Sequence, residues 1–310
     1  MQRSRINFFL IAVIVISFLS AAPAQKLNTN TAAASPVKLT LPLKEGSLHF
    51  AVIGDTGSGT QKQRDVGEMM VKYRAAFPFD FVLMMGDNLY GGETPRDFET
   101  KFSEPYKKLL DDNVKFYATL GNHDWGFADS PAAEILYTQQ SPSWRMPAPY
   151  YTFTAGPVQF FALDTNEVSE AQLLWLKDEL AKSGARWKLV YGHHPIYSAG
   201  VHGDSPTLIK RLLPVLKGRA DVFLAGHDHD LQHLKAEDGV HFFVAGGGGA
   251  GIRTPKAGPR SLFAKDAYAF CVLEADGKQL KVRFIDTALN QLYEATLTKS
   301  GAAAVLEATQ

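Results

Sequence analysis

The sequence predicts an α/β fold whose buried strands end in residues able to bind metal ions. From Ser47 onward, short apolar runs alternate with amphipathic stretches, a pattern typical of strands alternating with helices. Five of the apolar runs end in a glycine that is followed by Asp, Asn or His. The last part of the chain has apolar runs without helical stretches between them, which indicates a mixed sheet.

The five runs predict strands at 48–53, 81–85, 116–120, 187–191 and 222–225. The glycine after each run lets the chain turn sharply, so that the next side chain points into a crevice. Open α/β sheets place their ligands in the crevice at the carboxyl ends of the strands. The residues that reach this edge are Asp55, Asp87, Asn122, His193, His227 and His229.

Capping and stop signals predict three helices between these strands. Ser169, with Gln172 three residues later, begins a helix that Gly184 ends. Ser205, which precedes a proline, begins a second helix, and a third is expected from about Pro95 to Leu110. Further strands are predicted at 240–244, 268–273, 280–285 and 292–297.

The composition is that of an ordinary globular protein. The 310 residues are 45% hydrophobic and 21% charged, which excludes a disordered, collagen-like or disulfide-scaffold protein. The 32 basic residues balance 32 acidic ones, so no basic surplus predicts a nucleic-acid partner. The single cysteine, Cys271, excludes an intrachain disulfide and a multi-cysteine zinc site.

The N-terminal residues predict an export signal. Arg3 and Arg5 precede an apolar run over 8–19, and Ala22-Pro23-Ala24 fits a cleavage site. A membrane anchor is the alternative, but the run is about half of the ~20 residues that a spanning helix needs. We expect a cleaved signal peptide and a secreted or periplasmic protein, divided into a signal peptide at 1–24, a flexible linker at 25–46, a folded domain at 47–298 and a frayed tail at 299–310.

The mixture of side chains at the strand ends predicts a site for two metal ions. Carboxylate and amide oxygens bind hard cations, while imidazoles bind borderline ones. A single Gly-Asp or a single histidine is more often a turn or a satisfied polar group. Five such motifs in one chain favour a shared site over five independent turns.

The strand-end motifs resemble those of the metallophosphoesterase superfamily. Within it, the chain looks like the small, tartrate-resistant type of purple acid phosphatase over about 47–296. The resemblance implies a four-layer αββα sandwich with two mixed β-sheets and the metal site at strand C-terminal ends, and makes 47–298 the catalytic domain. The motifs are Gly54-Asp55, Gly86-Asp87-Asn88-Leu89-Tyr90, Gly121-Asn122-His123-Asp124, Gly192-His193-His194-Pro195 and Gly226-His227-Asp228-His229.

Two positions point to this type within the superfamily. The commoner pattern has a histidine two residues after the first aspartate, where this chain has Gly57. Tyr90 stands three residues after Asp87, and a phenolate is a hard donor that suits Fe(III). The alternative, a tyrosine packed in a turn, is disfavoured because the histidine is missing. In the resembled family, this tyrosine binds the ferric ion and gives the purple colour.

The resemblance also implies a role for each motif residue. Fe(III) would be bound by Asp55, Asp87, Tyr90 and His229. A second, divalent ion (Fe, Zn or Mn) would be bound by Asp87, Asn122, His193 and His227, with Asp87 bridging. His123 and His202 would be catalytic, orienting the phosphate or protonating the leaving alcohol; the alternative for His202 is an exposed loop histidine. His194 is expected either to support a metal ligand by contact or to be structural.

The implied activity is that of a secreted acid phosphatase that hydrolyses phosphomonoesters by attack of a metal-bound hydroxide, without a covalent phosphoenzyme. We expect a small phosphorylated substrate, no nucleic acid, no stable membrane anchor and a monomer. Two alternatives stay open: a phosphodiesterase or nucleotidase on the same metal core, and a non-catalytic metal- or phosphate-binding protein. The segment between Asn166 and Ser169 is very short, so the chain lacks the long loop whose cleavage activates the animal enzymes. We therefore expect no such activation.

Three residues beside the motifs complete the predicted site. Asp124 is a candidate to orient His123, and Trp125 to line the pocket. The glycine-rich segment at 246–251 is expected to pass close to the metal site. Arg253, just beyond it, is a candidate contact for a substrate anion.

Overall fold

A computed structural model describes residues 46–125, 130–301 and 303–309. The predicted signal peptide and all but the last residue of the predicted linker lie outside them. Within these ranges, no helix has the length and apolar character needed to span a bilayer.

Fifteen strands form in the described part of the chain. They are β1 (Leu48–Ile53), β2 (Phe81–Met84), β3 (Lys115–Ala118), β4 (Trp144–Arg145), β5 (Tyr151–Ala155), β6 (Val158–Ala162), β7 (Trp187–Tyr191), β8 (Val222–Ala225), β9 (Leu231–Glu237), β10 (Val240–Ala245), β11 (Ser261–Lys265), β12 (Ala269–Ala275), β13 (Gln279–Asp286), β14 (Gln291–Ser300) and β15 (Ala303–Thr309). All nine predicted strands are confirmed, with shifts of a few residues at their ends.

The strands form two mixed sheets, as predicted. One has the order β15-β14-β13-β12-β1-β2-β3-β4 and the other the order β11-β9-β10-β8-β7-β6-β5. In the first sheet β1 to β4 run parallel, and β12 joins β1 antiparallel. In the second sheet β6, β7, β8 and β10 run parallel. Both sheets therefore present parallel strand ends where a site can form.

Among the described residues, seven α-helices flank the sheets: α1 (Gln61–Ala76), α2 (Pro95–Phe98), α3 (Lys107–Asp111), α4 (Ser130–Gln140), α5 (Glu170–Lys182), α6 (Pro206–Arg211) and α7 (Leu213–Leu216). The side chains of Ser169 and Ser205 cap α5 and α6, as predicted. The third predicted helix is broken into α2, a π-helical turn at Glu99–Ser103 and α3. Pro105 explains the break, because it donates no backbone hydrogen bond and its ring crowds the preceding turn.

The apolar core confirms the four-layer arrangement. Phe160 of β6 meets Phe50 of β1 edge to face, with ring centroids 5.0 Å apart, so the two sheets pack against each other. The next residue, Phe161, belongs to a separate apolar cluster that also contains buried leucines of α5, α6 and α7. Alternate residues of a strand face opposite sides, so this sheet is covered by helices on its outer face.

The C-terminal residues differ from the expected frayed tail at 299–310. β14 extends to Ser300, and β15 pairs antiparallel with it along residues 303–309. Gly301 has a φ of 63°, which allows the tight turn between the two strands. Pairing covers what would otherwise be a free edge of β14, which is why this segment is ordered as a strand.

Candidate metal centre

The loops after five strands place the predicted ligand residues together. Asp55, Asp87 and His193 are buried almost completely, and His229 is 7% exposed. Asp55, Asp87 and His227 have φ of 57°, 50° and 70°. Positive φ is uncommon for residues other than glycine and is concentrated at functional sites. The sharp turns that glycine allows at the strand ends thus continue into the ligand residues themselves.

One group of side chains surrounds the phenol of Tyr90. Ligand atoms of Asp55, Asp87 and His229 all lie within 4.8 Å of one another. The Tyr90 hydroxyl donates to Asp55 Oδ1 over 3.4 Å and lies 3.2 Å from His229 Nε2. His229 Nδ1 donates to the carbonyl of Gly251 over 2.8 Å, which leaves Nε2 facing the group. These are the four residues predicted for one ion.

A second group surrounds the imidazole of His193. Its Nε2 lies 3.0 Å from Asn122 Oδ1, 3.1 Å from His227 Nδ1 and 3.4 Å from Asp87 Oδ1. Its Nδ1 donates to the carbonyl of Met85 over 2.8 Å, which orients the ring. Asp87 therefore touches both groups, the position expected of a bridging carboxylate.

The electrostatics of both groups fit a pair of cations. Burial, together with the neighbouring charge of Asp87, raises the pKa of Asp55 well above its ordinary value. Burial lowers the pKa of His193 and His229, and burial with neighbouring histidines lowers that of His227 to about 2. The protein alone thus disfavours charge on these groups, whereas cations favour carboxylates that are ionised and imidazoles that are neutral.

His194 lies beside the second group. One ring nitrogen each of His193, His194 and His227 lie within 4.8 Å of one another. The Nδ1 of His194 is 3.0 Å from Thr165 Oγ1, and its backbone N–H donates to the same oxygen over 2.9 Å. These contacts hold the residue to the loop after β6.

The two predicted catalytic histidines are exposed beside the buried ligands. The ring of His123 lies 4.6 Å from the Tyr90 ring, and its backbone N–H donates to Asp87 Oδ1 over 2.9 Å. The ring of His202 stacks on His227 with centroids 4.0 Å apart, and its side chain is 39% exposed. Each histidine therefore accompanies a different ligand group and is open to a substrate.

Asp228 is a residue of the candidate site that the sequence did not single out. It is buried, and its Oδ1 lies 2.8 Å from His202 Nδ1 and accepts the His202 backbone N–H over 3.1 Å. The guanidinium of Arg253 lies 3.2 Å from the other ring nitrogen, Nε2. The only signal in the sequence is its position between two predicted ligands, His227 and His229.

Asp124 does not orient His123 as expected. Its carboxylate accepts backbone N–H groups of Gly121 over 2.7 Å and of Asn88 over 3.0 Å, and so ties two ligand loops together. Burial raises the pKa of Asp124 to about 7. The Trp125 indole is 41% exposed and donates to Asp164 Oδ2 over 3.1 Å.

A close backbone approach explains why position 57 is a glycine, and backbone hydrogen bonds show where the glycine-rich segment runs. A Cβ at Gly57 would stand 2.1 Å from the carbonyl oxygen of Asn88. No side chain fits there, so the histidine of the commoner pattern is excluded by the loop after β2. The segment at 246–251 passes over the first ligand loop, because Gly248 and Ala250 donate to the carbonyls of Gly54 and Asp55.

Comparisons with known proteins agree with this geometry. The calcineurin-like phosphoesterase family model matches residues 48–231. Purple acid phosphatase 7 of Arabidopsis thaliana is 31% identical over 93% of this chain and 97% of its own length. Tartrate-resistant acid phosphatase type 5 of Oryctolagus cuniculus is 28% identical over 84% of this chain and 95% of its own. GAP50, the anchor in the inner membrane complex of Plasmodium, shares the fold with a TM-score of 0.74 at 24% identity, over 82% of this chain and 90% of that one.

Proposed function

We propose that this chain, which belongs to the calcineurin-like phosphoesterase family and to its purple acid phosphatases, is an acid phosphatase that hydrolyses small phosphomonoesters at a binuclear metal centre. The observation that carries the proposal is the position of Asp87, whose carboxylate lies in contact with both groups of candidate ligands. A shared carboxylate is what two adjacent cations require.

The donor chemistry supports a different ion for each group. Tyr90 supplies a phenol oxygen beside two carboxylates, a hard set that suits Fe(III), completed by His229. The second set has two imidazoles, His193 and His227, with the amide of Asn122 and the carboxylate of Asp87, and suits Fe, Zn or Mn as a divalent ion. Bound cations would activate water and stabilise the charge on the phosphoryl oxygens.

The two exposed histidines are positioned to bind the phosphoryl group and to give a proton to the leaving oxygen. Donation from His202 Nδ1 to Asp228 leaves Nε2 facing outward, where the ring, when protonated on both nitrogens, can give a proton to the leaving oxygen. His123 stands beside Tyr90, where its ring can hold a phosphoryl oxygen. A non-catalytic protein would not need these two exposed imidazoles, which favours the enzyme over the binding-protein alternative.

The first experiment is a visible absorption spectrum combined with metal analysis of the purified protein. We expect a purple band and one iron plus one divalent ion per chain. A colourless protein with two zinc or two manganese ions would contradict the ferric assignment and favour the diesterase or nucleotidase alternative. Turnover of 4-nitrophenyl phosphate and bis(4-nitrophenyl) phosphate then separates the two, since a phosphomonoesterase should prefer the monoester.

The N-terminal pattern supports export of this enzyme. Signal peptides combine a basic start, a short apolar run and a small-residue cleavage site, all of which residues 1–24 possess. We expect the mature protein to begin at Gln25 and to be secreted or periplasmic. N-terminal sequencing of the exported protein tests this, and retention of Met1 would contradict it.

Size-exclusion chromatography of the same sample should show a monomer.

A further inference from the structure

A basic side chain, Arg253, stands at the edge of the candidate site without an ion pair to the buried carboxyl of Asp230. Burial raises the pKa of Asp230, and the charge of Arg253 partly opposes that rise. Arg253 makes no ion pair among residues 46–125, 130–301 and 303–309, and its guanidinium instead lies 3.2 Å from His202 Nε2. Arg260, further along the same segment, is by contrast 3.4 Å from Glu237 and lies over the Tyr197 ring. A guanidinium that has no carboxylate partner beside a catalytic imidazole is available to an anionic ligand.

The backbone holds Arg253 in this place. Its N–H donates to the carbonyl of His229 over 3.1 Å, and Ala250, three residues earlier, donates to the carbonyl of Asp55 over 2.9 Å. Both acceptors belong to candidate metal ligands. The backbone of Arg253 is therefore held in place relative to the candidate metal centre, while the residue as a whole remains partly exposed.

The contact with His202 places Arg253 on the side of the leaving group. Because His202 Nδ1 donates to Asp228, Nε2 is the atom that meets the leaving oxygen. The guanidinium now occupies the space in front of Nε2, so a substrate must displace it by a short movement. After that movement, the guanidinium lies next to whatever group the leaving oxygen carries.

We propose that Arg253 is a specificity residue that favours substrates whose leaving group carries its own negative charge, phosphoanhydrides such as pyrophosphate above all. This inference rests on the proposed phosphatase function. An arginine suits the task because it is always charged and can bind two oxygens of a phosphate at once.

The reaction is hydrolysis of the anhydride bond. The oxygen of water forms a bond to the terminal phosphorus, and the bond from that phosphorus to the bridging oxygen breaks, its electron pair staying on the bridging oxygen. The leaving phosphate takes a proton from His202 protonated on both nitrogens, and the proton that the attacking water loses passes to solvent, from which His202 regains one. Pyrophosphate and water thus yield two orthophosphates, and Arg253 balances the charge of the departing one.

The test compares kcat/KM for pyrophosphate and for 4-nitrophenyl phosphate in the metal-loaded enzyme and in Arg253→Gln. We expect the ratio of the two values to fall about tenfold or more in the variant, the loss typical of one charged hydrogen bond. Arg253→Lys, which keeps the positive charge but cannot bind two phosphate oxygens with one planar group, should give an intermediate ratio. The matched control is Arg186→Gln: Arg186 is exposed and precedes β7, at the edge opposite to His193, so the ratio should not change.

The outcomes separate this inference from the function on which it rests. If the unmodified enzyme hydrolyses both substrates and Arg253→Gln loses activity equally on both, or on neither, the specificity role is wrong while the phosphatase stands. If the unmodified, metal-loaded enzyme hydrolyses neither substrate, the proposed function itself is overturned.

Discussion

At the scale of single residues, the pairing of Asp228 with His202 decides which imidazole nitrogen faces the substrate. A buried carboxylate beside Nδ1 favours the tautomer that carries its proton there. The same carboxylate accepts the His202 backbone N–H, so it fixes the loop as well as the ring. Asp228 thus acts on the chemistry through His202, as a positioning residue.

Asp228→Asn should reduce turnover in proportion to how strongly the leaving group needs a proton. An uncharged amide cannot balance the positive charge of the doubly protonated ring that acts as the acid, so we expect kcat for an alkyl phosphate to fall about 100-fold, within the range for general acid catalysis. The loss should be much smaller for 4-nitrophenyl phosphate, whose leaving group departs without protonation. An equal loss on both substrates would indicate only a structural role.

Tyr90→Phe should remove the visible absorption band and leave the fold intact. The ring packs at 4.6 Å from His123 and phenylalanine preserves that contact, whereas the hydroxyl that faces Asp55 and His229 is lost. We expect a colourless protein with less bound iron and a circular dichroism spectrum like that of the parent. A band of unchanged intensity would show that Tyr90 is not the ligand.

The sequence was sufficient to predict the residues that follow strands, but not those that support them. Asp55, Asp87 and His193 each follow an apolar run and a glycine, so their shared position is visible in the pattern. Asp228 is placed beside His202 only when the loop with His202 folds back onto it, and Arg253, already a candidate for a substrate anion, gains its contact with His202 in the same way. Such contacts join residues 26 and 51 positions apart, and no local pattern records them.

At the scale of elements, the short helix α2 holds the turn that carries Tyr90. The side chains of Thr94 and Asp97 form a capping box at its start. Lys101, in the π-helical turn that follows, donates to both the carboxylate of Asp97 and the carbonyl of Tyr90. The turn with the candidate ligand is therefore anchored by a capped helix rather than by its own sequence.

Asp97→Asn should destabilise the protein at neutral pH and have no effect in strong acid. Burial would raise the pKa of Asp97, but hydrogen bonds from Lys101 and Thr94 outweigh it and lower the pKa. A lowered carboxyl pKa contributes stability above the unfolded value of about 3.9 and loses it as the pH falls through the folded value. We expect a cost of about 1 kcal/mol at pH 7, typical of a lost cap, and none near pH 2, measured by urea unfolding.

Glu99→Gln is the matched control for this experiment. Glu99 pairs with Arg96 over 3.1 Å on the same segment, but both side chains are largely exposed. Exposed pairs of this kind contribute little, so the free energy of unfolding should stay the same at both pH values. A similar change in both variants would contradict the role given to Asp97.

Two of the strands that the sequence did not predict, β5 and β11, lie outside the apolar, glycine-ended pattern. β11 has no fully buried residue and β5 has one, so neither gives a continuous apolar run. β5 is held by antiparallel pairing with β6, and β11 by pairing with β9. The formation of β5 and β11 therefore depends on a partner strand that is distant or unmarked in the sequence.

At the scale of the whole molecule, the candidate metal centre joins the two sheets. Asp55, Asp87 and Asn122 follow strands of the first sheet, whereas His193 and His227 follow strands of the second. The ligands from both sides lie in contact, as between His193 and Asn122. Cations bound here therefore link two layers that are otherwise held mainly by their apolar faces.

Removal of the metal ions should lower the thermal stability of the entire domain. Without cations, burial and then the neighbouring charge of Asp87 raise the pKa of Asp55, so the ionised carboxylates are disfavoured in the folded protein. Ions that bind only the folded state stabilise it by about 2.7 kcal/mol at a concentration of 100 Kd, and each kcal/mol shifts the Tm of a domain of this size by about 2–4 °C. We thus expect a chelator to lower the Tm by ~5–10 °C, measured by calorimetry. The control is His193→Ala, which removes a candidate ligand that contacts Asp87 and Asn122 and should therefore show a smaller chelator effect. If the parent protein has the same Tm with and without chelator, the structural role of the centre is contradicted.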